Sequence, residues 1–542
     1  MRRPRHFTLS SEALALLASL FFALFCNRPL WGAVLAGHDP GQARTWLFAA
    51  SIFVALVALH FLIVAPLLTR WNTKPILLAL LAATGLAVHF MDRYNIYLDP
   101  GMLRNVLASD PREAGELLTW SLLPRLILFV ALPAWLLTRI RIRERRPAHA
   151  LAIRAGTLAL AAVAFAGGIA MNFQDLASLM RNHKELRYRV TPGNYLYSLA
   201  RAGMGSARAN LAERQPVGAD AVRGASWQTR DKPVVMVVVL GETARAENWG
   251  LSGYRRQTTP ELAAEPGMLN FASVTSCGTN TETSVPCIFS PWGRRQYDEA
   301  RIRSSESLLD VVARAGFHVV WVDNQSGCKG VCAGVASLRP DPARNPALCP
   351  EGQCLDGALV DTMQKVIAET PGNLLIVLHQ MGNHGPAYFK RYPEDAAAFG
   401  PDCRDADLAH CTRDEIVNAY DNALRYTDHV LADMVRALRK TETHDTALLY
   451  VSDHGESLGE NGLYLHGIPY SIAPETQTRV PMVAWFSPGW TRSFGLDAAC
   501  LGERAKAPAS HDHIFHSLLG LLDVKTSLYA TEMDLSAACR PA

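Results

Sequence analysis

The chain changes character about a third of the way along, from long apolar stretches to short apolar runs separated by polar segments. Each of the early stretches approaches the ~20 residues that an α-helix needs to cross a bilayer. They cover residues 12–30, 46–69, 75–91, 122–138 and 153–171. From residue 232 onward, runs rich in Val, Ile and Leu alternate with helical patterns. This pattern predicts five membrane spans followed by an α/β domain with a largely parallel sheet.

The same pattern divides the chain into a transmembrane domain over residues 1–171, a bridging helix and linker over 172–231, and a soluble domain over 232–542. In the soluble domain, the predicted strands cover 233–240, 317–323, 373–379, 446–452 and 480–486, and the predicted helices cover 305–315, 355–369 and 413–439. Segment 92–120 is too long for a simple turn and predicts an amphipathic helix on the outer membrane surface. That helix either helps to bind lipid head groups or serves packing alone.

Basic side chains next to the apolar stretches predict the orientation of the chain in the membrane. Arg2, Arg3 and Arg5 precede the first stretch, and further basic residues lie between the second and third stretches and between the fourth and fifth. Because cytoplasmic loops are enriched in Lys and Arg, we expect the N-terminus in the cytoplasm. Five crossings then place everything after residue 172 on the side of the membrane opposite the cytoplasm. A cleaved signal peptide is the alternative for the first stretch, but no convincing small-residue cleavage site follows it.

The cysteines are concentrated in the soluble domain, where many form close pairs in polar segments. Ten of the eleven follow residue 276: Cys277, Cys287, Cys328, Cys332, Cys349, Cys354, Cys403, Cys411, Cys500 and Cys539. An even number of paired cysteines favours disulfides in an oxidising compartment, in agreement with the predicted topology. A zinc–thiolate site and buried reduced thiols are the alternatives. Cys26 lies in the first apolar stretch and is expected to be an inert thiol.

Two predicted strands end in side chains that suit a metal ion. The run Val235–Leu240 leads to Glu242, and the run Leu448–Val451 leads to Asp453 and His454. In open α/β sheets, ligands bind beyond the carboxyl ends of the strands, so these three side chains are expected to meet. Two carboxylates and an imidazole suit zinc.

Further polar side chains follow other predicted strands and a glycine-rich loop. The run Leu374–His379 leads to His384, and the loop after the second metal-ligand pair carries His466. Several polar clusters at equivalent strand ends favour one shared site over coincidence. Past the strand at 317–323, the segment 323–330 offers amide, hydroxyl and ammonium donors that suit a phosphate. The alternative for that segment is a turn closed by a disulfide between Cys328 and Cys332.

The segment Ser276–Thr281 supplies a hydroxyl nucleophile, Thr281. A free threonine hydroxyl is a weak nucleophile and needs a base or a metal ion. A cation such as zinc favours the alkoxide, as it favours hydroxide from bound water. The alternative is an ordinary Ser/Thr-rich loop. Together with the strand-end clusters, the segment predicts metal-assisted chemistry on a phosphate or sulfate ester. The formal net charge of +3 is nearly balanced, and we expect no nucleic-acid partner.

Four motifs together resemble one known family. They are Gly241-Glu242-Thr243, Ser276-Cys277-Gly278-Thr279-Asn280-Thr281 with Ser284-Val285-Pro286-Cys287, Asn383-His384-Gly385-Pro386, and Ser452-Asp453-His454-Gly455-Glu456-Ser457-Leu458-Gly459 with Leu465-His466-Gly467. Over nearly its whole length, the chain is similar to the lipid A phosphoethanolamine transferases, which include the mobile colistin-resistance enzymes. The Asp-His-Gly element alone would indicate only the alkaline phosphatase/sulfatase superfamily.

The resemblance implies a catalytic mechanism. Zinc would be held by Glu242, Thr281, Asp453 and His454. Thr281 would take phosphoethanolamine from phosphatidylethanolamine, release diacylglycerol and pass the group to a lipid A phosphate. The implied head-group contacts are Thr279, Gln325, Ser326, Lys329, His384 and His466. Gln325 departs from the family pattern, in which Asn is common at this position.

The resemblance also implies which cysteines pair: Cys277 with Cys287, Cys328 with Cys332, Cys349 with Cys354, and Cys403 with Cys411, which leaves Cys500 for Cys539. The expected partners are the lipid donor, the lipid A acceptor and the surrounding membrane lipids, and we expect a monomer.

Other functions remain open at this point. A sulfatase would need a modifiable residue in a Cys-x-Pro-x-Arg context, which the segment 277–281 lacks. A phosphoglycerol transferase shares the threonine, the metal and the five spans, but the dense cysteines and the loop motifs argue against it. A phosphoethanolamine transferase acting on a core sugar, a periplasmic glucan or a protein is poorly separated from one that modifies lipid A. A membrane scaffold or sensor would need neither a metal ion nor Thr281.

Overall fold

The computed structural model describes residues 7–36, 38–109, 111–182, 184–211 and 214–540. The chain forms two compact units, one of Met1–Leu103 with Leu118–Gly203 and one of Arg104–Leu117 with Met204–Ala542. Arg2, Arg3 and Arg5, which support part of the topology prediction, lie outside the described residues.

The first unit is helical. Its main helices are Ser11–Phe25, Arg28–Leu35, Ala43–Val64, Thr73–Tyr94, Leu122–Leu126, Leu132–Thr138, Pro147–Met171 and Phe173–Asn182, and a short π-helix, Ile127–Ala131, joins the fifth to the sixth. Within the described part of the chain, three helices are long and apolar enough to cross a membrane: Ala43–Leu67, Thr73–Tyr94 and Pro147–Met171. A bent pair of helices makes a fourth if it is counted as one span. The predicted span at 122–138 is helical, but at 17 residues it falls short of that length.

The bent pair replaces the single first span that the apolar pattern predicts. Ser11–Phe25 and Arg28–Leu35 meet at an angle of 58°. At the break, the Asn27 side-chain amide donates to the Phe22 carbonyl at 2.8 Å and to the Thr191 carbonyl at 2.8 Å. Pro29, which has no N–H, begins the next turn. At the bend, the Asn27 side chain thus supplies a hydrogen-bond donor to a helix carbonyl, a part that a backbone N–H plays in a continuous helix. The bend also depends on a contact with Thr191, 164 residues away.

Close helix packing in this unit relies on small residues. Gly168 lies so near Ala43–Val64 that an added Cβ would approach the Ser51 carbonyl oxygen to 2.8 Å. Just beyond the glycine, the Asn172 amide donates to the Ser51 hydroxyl at 2.7 Å. Small residues and side-chain hydrogen bonds are the usual means of helix association in lipid, where burial of apolar surface gives no driving force.

The second unit is built around a seven-stranded sheet. In chain order the strands are Val234–Gly241 (β1), Leu269–Asn270 (β2), His318–Asp323 (β3), Ala336–Leu338 (β4), Leu374–His379 (β5), Asp445–Ser452 (β6) and Met482–Phe486 (β7). Their spatial order is β2-β7-β6-β1-β5-β3-β4. The pairs from β6 to β4 are all parallel, and β7 and β2 add an antiparallel edge. The predicted α/β domain with a largely parallel sheet is confirmed.

The sheet register gathers the strand ends along one edge. Ser452 of β6 is paired with Gly241 of β1, and Leu240 of β1 is paired with His379 of β5. His379 is in turn paired with Asp323 of β3. The residues that follow these strands therefore start from neighbouring positions. The β1, β5 and β6 side chains are buried on both faces, which explains their continuous apolar sequence.

Helices cover both faces of the sheet. The longer ones are Ala358–Glu369, Arg413–Arg439 and Asp512–Leu521, with shorter helices at Thr281–Ile288, Leu308–Arg314, Pro488–Phe494 and Ala498–Arg504. The longest begins at a capping box, in which Thr412 and Glu415 each bind the other's backbone N–H. The helix Gly193–Leu211 lies within the segment 172–231, for which the sequence predicts a bridging helix and linker.

Two smaller features fix the loops around the sheet edge. A three-stranded sheet places Val274–Thr275 between Arg479–Val480 and Ala509–Ser510. Five disulfides join Cys277 to Cys287, Cys328 to Cys332, Cys349 to Cys354, Cys403 to Cys411, and Cys500 to Cys539. The first four are the pairs that the family resemblance implies, and the fifth is the pair that those four leave over. Cys26 is a buried free thiol.

Candidate functional site

The candidate site is formed at the carboxyl ends of β1 and β6 and at the first residue of a helix. Glu242 follows β1, and Asp453 with His454 follows β6. Thr281 is the first residue of the helix Thr281–Ile288, whose N-cap Asn280 accepts the Thr283 N–H at 2.9 Å. A helix N-terminus carries partial positive charge, so Thr281 lies where an anion is favoured.

The four side chains that the sequence predicts as metal ligands lie together and are buried. The Thr281 hydroxyl donates to the two Glu242 carboxylate oxygens at 3.3 and 3.1 Å, and it lies 3.4 Å from His454 Nε2. His454 Nε2 is 3.2 Å from Glu242 Oε1 and 3.4 Å from Asp453 Oδ2. The carboxylates and the imidazole are 0% exposed, and Thr281 is 3% exposed.

This arrangement fits a zinc ion. One potential ligand atom from each of Glu242, Asp453 and His454 lies within 4.8 Å of the others. Asp453 Oδ2 is buried and has no hydrogen-bond partner among the described residues. His454 Nδ1 contacts the Gly455 carbonyl at 2.9 Å and must donate to it, which leaves Nε2 for a cation. Two carboxylates, one imidazole and a hydroxyl form a donor set that zinc accepts.

Without a cation, the buried charges shift one another strongly. Burial opposes ionisation of Glu242, but the hydrogen bond and charge of His454 outweigh it and hold the pKa well below its usual range. Burial and the charge of Glu242 raise the pKa of Asp453 to about 6. Burial alone would lower the pKa of His454, but Asp453 and Glu242 raise it to about 10. The pocket thus holds a proton where a metal ion would bind.

Two further histidines border the metal pocket. The rings of His466 and His454 lie 4.3 Å apart, and the rings of His384 and His466 lie 5.7 Å apart, between centroids. His466 Nδ1 contacts Glu456 at 2.9 Å, and the other carboxylate oxygen of Glu456 accepts the Tyr388 hydroxyl at 2.7 Å. Burial lowers the pKa of His384 to about 4, so the ring is neutral at physiological pH.

The side chains of Gln325, Ser326 and Lys329, which the sequence predicts as head-group contacts, are joined to one another by hydrogen bonds. Lys329 Nζ contacts the Ser326 hydroxyl at 2.7 Å and pairs with Glu282, the neighbour of Thr281, at 3.2 Å. Gln325 accepts from the Ser326 N–H at 2.5 Å. Lys329 is therefore linked to the Thr281 helix through Glu282. Ser326 contacts Lys329, and Gln325 contacts Ser326.

Thr279 lies beside the nucleophile helix, and its hydroxyl donates to the Ile468 carbonyl at 2.7 Å. The Gly467 N–H donates to the Thr279 carbonyl at 2.8 Å. These bonds hold the His466 loop against the Thr281 loop. In this structure the Thr279 hydroxyl is used for loop contact.

Three site residues received no role in the sequence analysis, although Glu456 and Thr243 lie within the motifs quoted there. Glu456 and Glu282 orient His466 and Lys329, yet nothing in the local pattern marks either as a partner. Thr243 donates its hydroxyl to Glu242 at 2.6 Å and adopts a φ of 60°, which is rare for a β-branched residue. A threonine directly after a strand-end glutamate is the only signal that pointed to it.

Sequence comparison identifies the domain and then the family. The model of the family described as Sulfatase matches residues 235–524. The model described as Phosphoethanolamine transferase EptA/EptB matches residues 56–205. The second unit is thus an alkaline phosphatase/sulfatase-like domain. The helical region before it matches the model of a phosphoethanolamine transferase family.

Individual relatives extend over the whole chain. It is 34% identical over 551 residues to the phosphoethanolamine transferase EptA of Salmonella typhimurium, covering 100% of this chain and 98% of the relative. It is 37% identical to the phosphatidylethanolamine transferase Mcr-1 of Escherichia coli over 88% of each chain. The solved integral membrane lipooligosaccharide phosphoethanolamine transferase A of Neisseria meningitidis superimposes with a TM-score of 0.93 at 34% identity, covering 99% of this chain and 100% of that one. The chain belongs to the phosphoethanolamine transferase family, and it is an integral membrane enzyme with a periplasmic catalytic domain.

Proposed function

We propose that this enzyme transfers phosphoethanolamine from phosphatidylethanolamine to a lipid A phosphate through a covalent intermediate on Thr281. The observation that carries the proposal is the position of the Thr281 hydroxyl. It lies at a helix N-terminus, 3.1 Å from Glu242 Oε2 and 3.4 Å from His454 Nε2. The hydroxyl is buried, donates to the Glu242 carboxylate and lies beside the His454 imidazole. Asp453 Oδ2, which has no hydrogen-bond partner among the described residues, belongs to the same cluster. These surroundings suit a nucleophile.

In the first half-reaction, Thr281 Oγ1 gives its proton to Glu242 Oε2 and forms a bond to the donor phosphorus, while the bond from phosphorus to the diacylglycerol oxygen breaks. Glu242 accepts the hydrogen bond of the hydroxyl and so fixes its orientation. The N-terminal N–H groups of the helix favour the anionic phosphate. His466, oriented by Glu456, is the group in place to donate a proton to the departing oxygen. In the second half-reaction, an oxygen of the acceptor phosphate gives its proton to His466 and forms a bond to the same phosphorus, while the bond from phosphorus to Thr281 Oγ1 breaks and Glu242 returns the proton to that oxygen.

Glu242, Thr281, Asp453 and His454 would hold zinc, the ion that best suits this donor set. When bound, the zinc supplies the positive charge that favours the alkoxide of the nucleophile and offsets charge on the phosphoryl group. Lys329, Ser326 and Gln325 would bind the donor phosphate or its ethanolamine ester, and His384 and Thr279 would border the same space. Lys329 would exchange its contact with Glu282 for one with the phosphate.

The choice of acceptor rests on the relatives. The Neisseria enzyme is named for lipooligosaccharide, and the whole chain matches it. A lipid acceptor also suits an enzyme whose membrane region and lipid donor lie in the same bilayer. The second candidate is the same transfer to a core sugar, a periplasmic glucan or a protein.

The experiment compares cells that express the wild type, Thr281→Ala or Thr446→Ala. Thr446 is a buried threonine at the opposite end of β6, where it donates to the Leu438 carbonyl at 3.1 Å. Mass spectrometry of lipid A, core and glucan fractions should show phosphoethanolamine on lipid A for the wild type and for Thr446→Ala. Thr281→Ala should lose at least ~1,000-fold, because both half-reactions need the hydroxyl.

Transfer by folded Thr281→Ala would contradict the covalent route. Phosphoethanolamine found in the core or glucan fraction alone would support the second candidate over lipid A.

A further inference from the structure

The buried side chain of His511 lies between the loop that carries Thr281 and the end of β6, which carries Asp453 and His454. The Cys277 N–H donates to His511 Nδ1 at 3.0 Å, and His511 Nε2 contacts the Ser452 carbonyl at 2.9 Å. Cys277 begins the loop that leads to Thr281, and Ser452 directly precedes Asp453. His511 is 1% exposed. Its two ring nitrogens contact Cys277 and Ser452, and not Thr281 or Asp453 themselves.

We propose that His511 is a positioning residue that sets the Thr281 loop against the end of β6, and so fixes the distance between the nucleophile and the metal ligands. This role rests on the proposed function of Thr281. His511 lies outside the four family motifs, and the relatives' names assign no role to this residue.

The two hydrogen bonds define the state of the ring. A carbonyl oxygen only accepts, so His511 Nε2 carries the hydrogen, and a backbone N–H only donates, so Nδ1 is the acceptor. Both bonds exist together only in this neutral tautomer. Burial lowers the pKa of His511 to about 3, which keeps the ring neutral across the physiological range.

The backbone around His511 supports the same loop. Strand Ala509–Ser510 pairs with Val274–Thr275, and the His511 N–H donates to the Thr275 carbonyl at 3.0 Å. On the other side of that strand, the Ser276 N–H donates to the Thr478 carbonyl at 2.8 Å. These bonds hold the loop within the small sheet. The His511 side chain adds a direct link from the backbone of Cys277 to the carboxyl end of β6, where the Ser452 N–H also donates to the Pro481 carbonyl at 3.2 Å.

Reaction geometry is sensitive to this connection. Thr281 Oγ1 lies 3.1 Å from Glu242 and 3.4 Å from His454, and His454 is two residues from Ser452. If the Thr281 loop shifts relative to β6, these distances change together. Displacement of a reacting group by ~1 Å can cost about 100-fold in rate. A shape-preserving replacement that lacks both hydrogen bonds should therefore affect the chemical step more than donor binding.

A graded series of variants tests the role. His511→Phe keeps a planar ring and loses both bonds. In His511→Asn the amide oxygen can take the place of Nδ1, and in His511→Gln the amide nitrogen can take the place of Nε2, so each retains one bond. The matched control is His516→Phe, since His516 is 3% exposed, lies on the helix Asp512–Leu521 and accepts the Ala530 N–H at 3.2 Å.

Purified full-length enzyme in detergent, loaded with zinc, is assayed with a fluorescent phosphatidylethanolamine donor. We expect kcat to fall by about 100-fold in His511→Phe and by about tenfold in His511→Asn and His511→Gln. KM for the donor should stay within about threefold, and zinc content should stay near that of the wild type. His516→Phe should lower Tm without lowering kcat by more than about threefold.

A kcat for His511→Phe within threefold of that for His516→Phe would overturn the proposal. If His511→Phe does not fold, wild-type kcat in both His511→Asn and His511→Gln would overturn it equally, and a tenfold loss in both would support it. Thr281→Ala in the same assay separates the two claims. An active Thr281→Ala enzyme defeats the proposed nucleophile, whereas an inactive one beside a fully active His511→Phe defeats only the positioning role.

Discussion

The two sides of the candidate site differ in how their side chains are held. On the metal side, Glu242, Asp453 and His454 come from the ends of two adjacent parallel strands, and all three are 0% exposed. On the head-group side, Lys329 lies on a loop closed by Cys328 and Cys332, and its ammonium is already paired with Glu282. The sheet fixes the first set before anything binds, whereas the second set must exchange partners when a phosphate arrives.

The metal side should tolerate the least change. Asp453→Asn should reduce transfer by at least ~1,000-fold and lower bound zinc, because it removes the charge of a ligand from a buried donor set. The control is Asp445→Asn, at the other end of β6, where the carboxylate accepts the Ser493 hydroxyl. Zinc content by elemental analysis and transfer to lipid A are measured together. Full activity of Asp453→Asn would remove the metal from the proposed reaction.

The head-group side should give a smaller, binding-type effect. In Lys329→Met, loss of one charge-assisted hydrogen bond of ~1.5–3 kcal/mol should lower kcat/KM about 10- to 100-fold, mostly through KM for the donor. Zinc content should not change. The control is Lys365→Met, on the helix Ala358–Glu369, where the ammonium is half exposed and 4.0 Å from Glu369. A fall in kcat alone would instead assign Lys329 to the transition state.

Zinc uptake by chelator-stripped enzyme should release protons. Because Asp453 and Glu242 raise the pKa of His454 to about 10, the imidazole is protonated at pH 7 and must lose its proton to bind a cation. Apparent zinc affinity should thus rise about tenfold per pH unit between pH 6 and pH 10. Below pH 6, where Asp453 with its pKa of about 6 also becomes protonated, the dependence should steepen.

Calorimetry of zinc binding in buffers of different ionisation enthalpy counts the protons released. About one proton is expected at pH 7. Zinc binding without proton release would show that His454 is neutral before the metal arrives.

The smallest effect should come from the partner of Lys329. Glu282→Gln removes the carboxylate that competes with phosphate for the ammonium, so KM for the donor should fall by about two- to threefold with kcat unchanged. Arg303 also pairs with Glu282, at 3.1 Å, and Tm should fall slightly. A KM increase like that of Lys329→Met would show instead that Glu282 holds Lys329 in its binding position.

The sequence predicted the metal side better than the head-group side, and the reason is physical. Parallel strands have a fixed register and end at one edge, so apolar runs followed by Glu242 and Asp453 indicate proximity without any knowledge of loops. The pairing of Lys329 with Glu282 and of His466 with Glu456 depends on loop conformations that no local pattern encodes. The same is true of His511, whose two partners lie 234 and 59 residues away.

The membrane region shows the same limit. Apolar stretches marked the long helices there, because length and hydrophobicity are local properties, but they did not mark Arg28–Leu35 or Phe173–Asn182. The bend at Asn27 was not predicted, since it requires Thr191 as a distant partner. The fourth stretch is helical but short, at 17 residues, and composition alone did not reveal the π-helical turn within it.

The connectivity of the disulfides bears on how the enzyme matures during export. In every bridge a cysteine joins the next one along the exported part of the chain, at separations of 10, 4, 5, 8 and 39 residues. An oxidase that joins thiols in their order of emergence from the translocation channel would therefore make all five bonds correctly at the first attempt. Biogenesis of this domain should depend on an oxidant in the periplasm and proceed without a disulfide isomerase.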